Sequence, residues 1–382
     1  MAVHRAVLAL LASCALAACS TSGPPADSTG HAVVPREGLA YYAQSVAGHL
    51  ALMRAARPLE DWLTDPATPP ALKERLAQVQ RMRRFAVDEL HLPDNASYTR
   101  YADLKRRAVV WNVVATPEFS LQLKTWCFVV VGCVGYRGYF DEAEAHALAE
   151  RLRAQGLDAV AYPVPAYSTL GWTNWLGGDP VLSTFIGYPE GEVARLLFHE
   201  LAHQVLYVAD DTEFNESFAT AVERLGGERW LAQASTAARA DYAAFDERRR
   251  AFRALTLSVR KNLERIYAQA LDEHALSAVE NENALRASKH AVMTDFRQRY
   301  AELKAGWGGH SGYDAWVARA NNASFAVQAA YDAQVPAFMA LFEREGRDWP
   351  RFYDAVREWA ALPKAERDTE LARLVQPSAQ QP

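Results

Sequence analysis

GYPEGEVARLLFHELAHQVLYVADDTEFNESFATAVERLGG, residues 187–227, decides how this chain is read. Pro189 and Glu190 suit a helix start and Asp210-Asp211 a stop or turn, so the spacing predicts one helix of about 19 residues. Inside it stands His199-Glu200-Leu201-Ala202-His203, an H-E-x-x-H motif, flanked by the apolar Leu196, Leu197 and Phe198. At about 100° per residue, His203 lies about 40° from His199 and one turn along, so both imidazoles can meet one ion. Glu200 flanks the same side, where its carboxylate reaches an activated water without ligating the metal. A core helix that spends three polar positions on His, Glu and His must find partners for them.

Two histidines do not close a hydrolytic zinc site, which needs a third protein ligand. Asp211 or Thr212 can cap a second helix, placing Glu216 in its first or second turn, 13 residues beyond His203. A turn between the helices would fold Glu216 back onto the histidine pair. Glu213 and Glu223 are the other carboxylates within reach. Glu223 shares the face of Glu216, where it would serve as an outer contact, but reads more simply as part of a solvated face.

The block FHELAHQVLYVADDTEFNESFATAVER, together with YRGYF, LGW and YPEGE upstream, resembles a bacterial family of predicted zinc aminopeptidases, secreted or lipoprotein-like. The similarity runs from about Gly38 to Leu362, and Asn215-Glu216 resembles the Asn-Glu pair of gluzincin metallopeptidases, whose Glu is the third zinc ligand. The resemblance implies one Zn²⁺ per chain held by His199, His203 and Glu216, with Glu200 as catalytic base and peptides as substrates. The G-x-M-E-N type element with which large helical aminopeptidases hold a substrate's α-amine is not visible here. Envelope endopeptidase action by the same mechanism therefore stands beside aminopeptidase action. A non-catalytic lipoprotein whose zinc only braces two helices is the rival of a different class.

The N-terminus carries its own message. His4 and Arg5 precede the apolar AVLALLASCALAAC, too short to span a bilayer and read as a signal-peptide core. Leu16-Ala17-Ala18-Cys19 resembles a bacterial lipobox, which implies cleavage after residue 18 and acylation of Cys19. Residues 19–36, rich in Ser, Thr, Gly and Pro, form a flexible tether. Ser20 after the cysteine favours delivery to the outer membrane, facing the periplasm. Cys127 and Cys133 then remain outside the reducing cytoplasm, six residues apart. They can bridge only if the chain reverses between them, because one extended strand would hold their Cα atoms roughly 20 Å apart.

Composition narrows the remaining classes. A net charge of −5 argues against a nucleic-acid partner, since phosphate neutralisation needs a basic excess. Half the residues are hydrophobic and 11% aromatic, enough to build a core and too many for disorder. A mean hydropathy of −0.20 with no second long apolar run excludes a multi-span membrane protein. Helical spacing dominates 37–90, strand composition rises between about 108 and 140, DEAEAHALAERLRAQG reads as a helix, and LDAVAYPVPAYSTLGW as a proline-bearing edge strand. From Pro189 onward nearly everything is helical. The expectation is an α+β fold, predominantly α-helical, with a small sheet beside the H-E-x-x-H helix. It forms one domain over 37–375 with a helical C-terminal half from about 228.

The long helical stretch 228–304 is compatible with a lid, a coiled pair or an interaction arm. Arg248 to Arg250 and Arg81 to Arg84 read as solvated helix faces. An oxyanion intermediate needs a second donor, for which Tyr188, Tyr207 and Tyr331 are candidates by position alone.

Overall fold

A computed structural model describes residues 36–128, 132–166, 168–169, 177–272, 278–327 and 334–375. The signal-peptide residues 1–18, Cys19, nearly all of the tether, Tyr331 and much of the YSTLGW stretch lie outside the described residues. The chain divides into a unit ending at Ala47, whose described residues are helical, and a unit from Gly48 to Pro382.

The elements follow in the order α1 (Arg36–Ala55), β1 (Ala56–Pro58), α2 (Leu59–Thr64), α3 (Pro70–Asp88), β2 (Arg100–Ala102), β3 (Val110–Pro117), β4 (Trp126–Phe128), β5 (Gly132–Val134), β6 (Arg137–Tyr139), α4 (Glu142–Ala154), β7 (Leu157–Val164) and β8 (Val181–Leu182). After these the described chain is helical: α5 (Glu190–Ala202), α6 (Thr212–Ala232), α7 (Thr236–Asp272), α8 (Ala278–Gly306), α9 (Asp314–Arg319), α10 (Asn322–Val327), α11 (Val335–Arg344), α12 (Trp349–Ala360) and α13 (Lys364–Val375). The fold is predominantly helical α+β, as the periodicity predicts.

The larger sheet has the antiparallel order β6-β3-β7, with Val110 opposite Val164 and Pro117 opposite Leu157. β7 is therefore an edge strand, which tolerates Pro163 because one side of an edge strand makes no ladder bonds that need its N–H. α4 and α10 pack against β3 and β7. A second sheet, β1-β2-β8, escapes the sequence reading altogether. Its strands are two or three residues long, too short to show a period of two. It matters for the site because β8 runs parallel to β2, with Tyr101 opposite Val181. The segments just before these strands lie side by side, joined by the Tyr98 N–H bond to the Asp179 carbonyl at 2.6 Å.

The main core surrounds α5. Val193, Ala194, Leu197, Phe198 and Leu201 occupy one face of that helix and are essentially solvent-free. They meet Phe85 of α3 and Val222 and Leu225 of α6 in the same cluster. Burying a side chain such as Phe198 contributes about 1.5–3 kcal/mol relative to leaving it in water. The helix is shorter than the sequence suggests. It stops at Ala202, with His203 as its C-terminal cap residue still in the helical region (φ −58, ψ −21). The chain then turns through Gln204 and Val205, whose N–H groups bond the Leu201 and Ala202 carbonyls.

α6 instead runs longer, straight through Gly226 and Gly227. A Cβ at Gly227 would stand 2.4 Å from Arg195 Cγ, and one at Gly226 would stand 2.6 Å from Leu90. The missing side chains let α5 and α6 approach closely at this point. The cost of glycine inside a helix, about 1 kcal/mol each, goes into that approach.

α7 and α8 pack on each other over a separate core of Phe252, Leu255, Val259, Leu263, Met293, Phe296 and Tyr300. Of the three readings of this stretch, a coiled pair describes it. No described helix is long and apolar enough to cross a membrane.

Candidate metal centre

Glu190 and Glu192 in the first turn of α5 favour the helix N-terminus, and the buried apolar face orients the rest. The opposite face turns His199 and His203 toward α6. The His203 N–H bonds the His199 carbonyl at 3.3 Å, so the one-turn spacing of the motif survives the early end of the helix. The Nε2 atoms of the two rings face each other at 3.2 Å.

Glu216 reaches the same point from α6. Asp211 caps α6, accepting from the Phe214 N–H at 3.3 Å, and Arg367 and Lys364 hold its carboxylate at 2.6 and 3.3 Å. Asn215 closes the short connection. Its carboxamide accepts from the Val208 N–H at 2.8 Å and donates to the Val208 carbonyl at 2.7 Å. That pair of bonds folds the loop tightly and leaves Glu216 facing the histidines, one carboxylate oxygen 3.3 Å from His199 Nε2 and the other 3.8 Å from His203 Nε2. One donor atom from each of His199, His203 and Glu216 lies within 4.8 Å of the others. Glu213 is not part of this cluster.

Glu223 is not on a solvated face. It accepts from His199 Nδ1 at 3.0 Å and also pairs with Arg195, one turn earlier on α5. The bond fixes the proton on Nδ1 and leaves the Nε2 lone pair directed at the cluster. Burial pushes the Glu223 carboxyl up, but the hydrogen bond from His199 and the charge of Arg195 outweigh it and leave it below the ordinary value. Burial likewise raises Glu216, while the two histidines pull it below the usual carboxylate range. Burial lowers His199, yet hydrogen bonds to Glu216 and Glu223 lift it well above an ordinary histidine. His203, buried and beside His199, falls to about 4 despite Glu216.

The two Nε2 atoms and the Glu216 carboxylate converge on one point. Such a set of lone pairs suits a divalent cation of zinc's ligand preference: two imidazole nitrogens and one carboxylate oxygen.

Glu200 stands next to this set but outside it. Burial pushes its carboxyl up to about 7, with His199 and a Ser168 hydrogen bond pulling down and Glu216 and Asp179 pushing up. Asp179 is itself buried and accepts from the Thr169 N–H at 3.0 Å and hydroxyl at 2.8 Å. The loop bearing Tyr98 is tied to the end of α5 through Gln204. Its amide donates to Ser97 Oγ at 3.2 Å, and its carbonyl accepts from Asn95 at 2.7 Å. Tyr98 has a positive φ of 61° and a buried hydroxyl with no hydrogen-bond partner. Burial, then Glu200 and Asp179, push that phenol well above its ordinary value, so it stays protonated and can donate.

Of the tyrosines singled out by sequence, Tyr207 lies near enough to Glu216 for the carboxylate to raise it beyond the effect of burial. The Tyr188 phenol is raised by burial and then by the Glu192 carboxylate, with no influence from Glu216. Tyr98, Asp179 and Arg195 are the residues sequence reasoning passed over, while Glu223 was weighed as an outer contact and set aside for a solvated face. Only the unusual Gly226-Gly227 pair, which marks close packing of α6 on α5, hinted at any of them.

Cys127 and Cys133 lie apart from the cluster. β4 and β5 pair antiparallel with Cys127 opposite Cys133, and the two are disulfide-bonded. The chain reversal that a bridge requires is thus the β4–β5 hairpin. The Cys133 N–H bonds Asp210 at 3.0 Å, tying this hairpin to the loop that leads into α6.

Residues 40–371 match the family described as "Putative aminopeptidase", and the chain belongs to that family. No match is found among the curated proteins or among the solved structures.

Proposed function

We propose, from membership of the aminopeptidase family, that this protein is a zinc-dependent metallopeptidase with one Zn²⁺ held by His199, His203 and Glu216. The observation that carries the reading is the convergence of those three donors within 4.8 Å, with Glu200 beside them and free of the ligand set. Zinc bound there supplies Lewis acidity, which polarises a scissile carbonyl and acidifies water. Glu200, on the same helix, takes the proton as water attacks and passes it to the leaving amine. Glu223 orients His199 and fixes its tautomer, while Arg195 holds Glu223. The Tyr98 and Tyr207 hydroxyls are the donors at hand for a developing oxyanion.

The gluzincin-like Asn215-Glu216 pair supports Glu216 as third ligand. Endopeptidase action is the second reading, favoured by the missing amine-holding element in the sequence. The lipobox-like Cys19 supports attachment to the outer membrane through a lipid on the periplasmic side. The Cys127–Cys133 bridge suits such an oxidising compartment.

Metal content tests the reading. Wild-type protein with the leader removed should retain about one zinc per chain, and Glu216→Ala should lose it or bind it far more weakly. A folded wild type that takes up no zinc when zinc is offered would sink the peptidase reading.

A further inference from the structure

A cavity of about 1170 Å³ opens from His199 and Glu223 and extends between α5, α6 and α7. We propose that it receives the carboxylate-bearing part of the substrate, making the centre selective for acidic peptides; this rests on the peptidase reading above.

Six arginines line the cavity, Arg195, Arg224, Arg239, Arg249, Arg250 and Arg253, against three carboxylates, Glu223, Glu228 and Asp246. The wall is therefore net positive although the whole chain is net negative. Part of this charge is framework. Arg195 pairs with Glu223 and lies 3.7 Å from Asp246, and Arg249 is 3.1 Å from Glu192 and also pairs with Asp246. The Arg195–Asp246 and Arg249–Glu192 contacts hold α7 against α5, and Arg250 is 3.0 Å from Asp246 on its own helix. By count of side chains the lining still carries more guanidinium than carboxylate. Arg249 and Arg250, which read in the sequence as a solvated run, both contribute to the wall.

A cleft whose lining carries an excess of one sign draws carboxylates in and repels ammonium groups. Guanidinium forks match carboxylates with paired N–H donors. Phe252, Tyr313 and Trp316 add an aromatic wall, with the Phe252 and Tyr313 rings stacked at 4.1 Å. The volume exceeds the roughly 300–1,000 Å³ of ordinary small-ligand pockets, enough for several residues of a peptide. The carboxylate can come from Asp or Glu side chains or from a free C-terminus, and the same chemistry recognises both.

The test uses calorimetric binding of unlabelled hexapeptides to zinc-loaded Glu200→Gln protein, alongside hydrolysis by the wild type followed by mass spectrometry. The peptides share one backbone and carry Asp and Glu, Asn and Gln, or Lys at two positions, each with a free or amidated C-terminus. The acidic peptide should bind at least about tenfold more tightly than the lysine peptide. That margin should shrink as NaCl is raised from about 50 to about 300 mM. It should also shrink in an added Arg250→Gln/Arg253→Gln background. Loss on side-chain neutralisation assigns the carboxylate to Asp or Glu, and loss on amidation assigns it to the C-terminus; either supports the proposal. Equal binding of all peptides, or preference for lysine, overturns it even where the wild type hydrolyses them. Preferential acidic binding with no hydrolysis of any peptide leaves the cavity assignment standing and overturns the peptidase reading alone.

Discussion

The α5–α6 pair and the α7–α8 pair both join helices side by side, yet their seams differ in kind. Between α7 and α8 the contacts are Leu255, Val259 and Leu263 against Met293, Phe296 and Tyr300, so burial itself holds the pair together. Between α5 and α6 the apolar layer is backed by a seam of Arg195, His199 and His203 against Glu216 and Glu223. Taking those charges out of water costs several kcal/mol per group unless each finds a partner. An apolar seam of equal volume would be at least as stable. The polar seam is thus a part of the molecule whose composition stability alone does not explain.

Substitutions on either side break or sharpen this contrast. Glu200→Gln should lower the rate of peptide hydrolysis by about 10²–10⁴-fold while zinc stoichiometry and melting temperature hold. Steady-state rates beside metal analysis check it, and hydrolysis at the wild-type rate with zinc retained would remove Glu200 from the reaction. On the apolar side, Phe296→Ala should cost about 3–5 kcal/mol in chemical denaturation, because Phe296 is fully buried, and leave zinc affinity unchanged. A loss of zinc in the folded variant would show that the two seams are coupled.

Smaller effects are expected from the groups that support the centre. Glu223→Gln keeps the shape but removes the charge that holds His199 and Arg195. Zinc affinity should fall by about 10–100-fold in competition with a chelating dye, with less effect on folding. Unchanged affinity would reduce Glu223 to a packing role.

Asp211 gives a prediction in pH. Burial raises its carboxyl, but bonds from Arg367, the Phe214 N–H and Lys364 leave it below the ordinary value. A depressed folded-state value means stability that is present above the unfolded pKa of about 3.9 and lost as pH falls through the lower folded value. Asp211→Asn should cost about 1–3 kcal/mol at neutral pH, a gap that narrows as pH drops below about 4. A gap independent of pH would mean the charge is not what matters.

Much of the site was legible in the order of residues. H-E-x-x-H on one helix and Glu216 early on the next are local spacings, and local spacings survive folding. Even the overestimated length of α5 did no harm, since His203 keeps helical angles at its end. Glu223 was misread because a carboxylate two turns from another looks solvated until the opposing helix is known. The arginine run at 248–250 keeps Arg250 largely exposed, and only the folded chain shows that Arg249 and Arg250 also border the cavity.

The chain's own periodicity and spacing determined a mainly helical α+β fold, an edge strand bearing prolines, and the pairing of His199 with His203, while the choice of Glu216 over Glu213 and Glu223 leaned on the family resemblance. These depend on contacts within a few turns. Tertiary structure alone decided what surrounds them: Asp179 and Tyr98 delivered by the short β2–β8 pairing, Glu223 locked to His199 across Gly226-Gly227, and six arginines gathered around one cavity. Those arrangements join residues tens to more than a hundred positions apart, and no local pattern encodes which faces will meet.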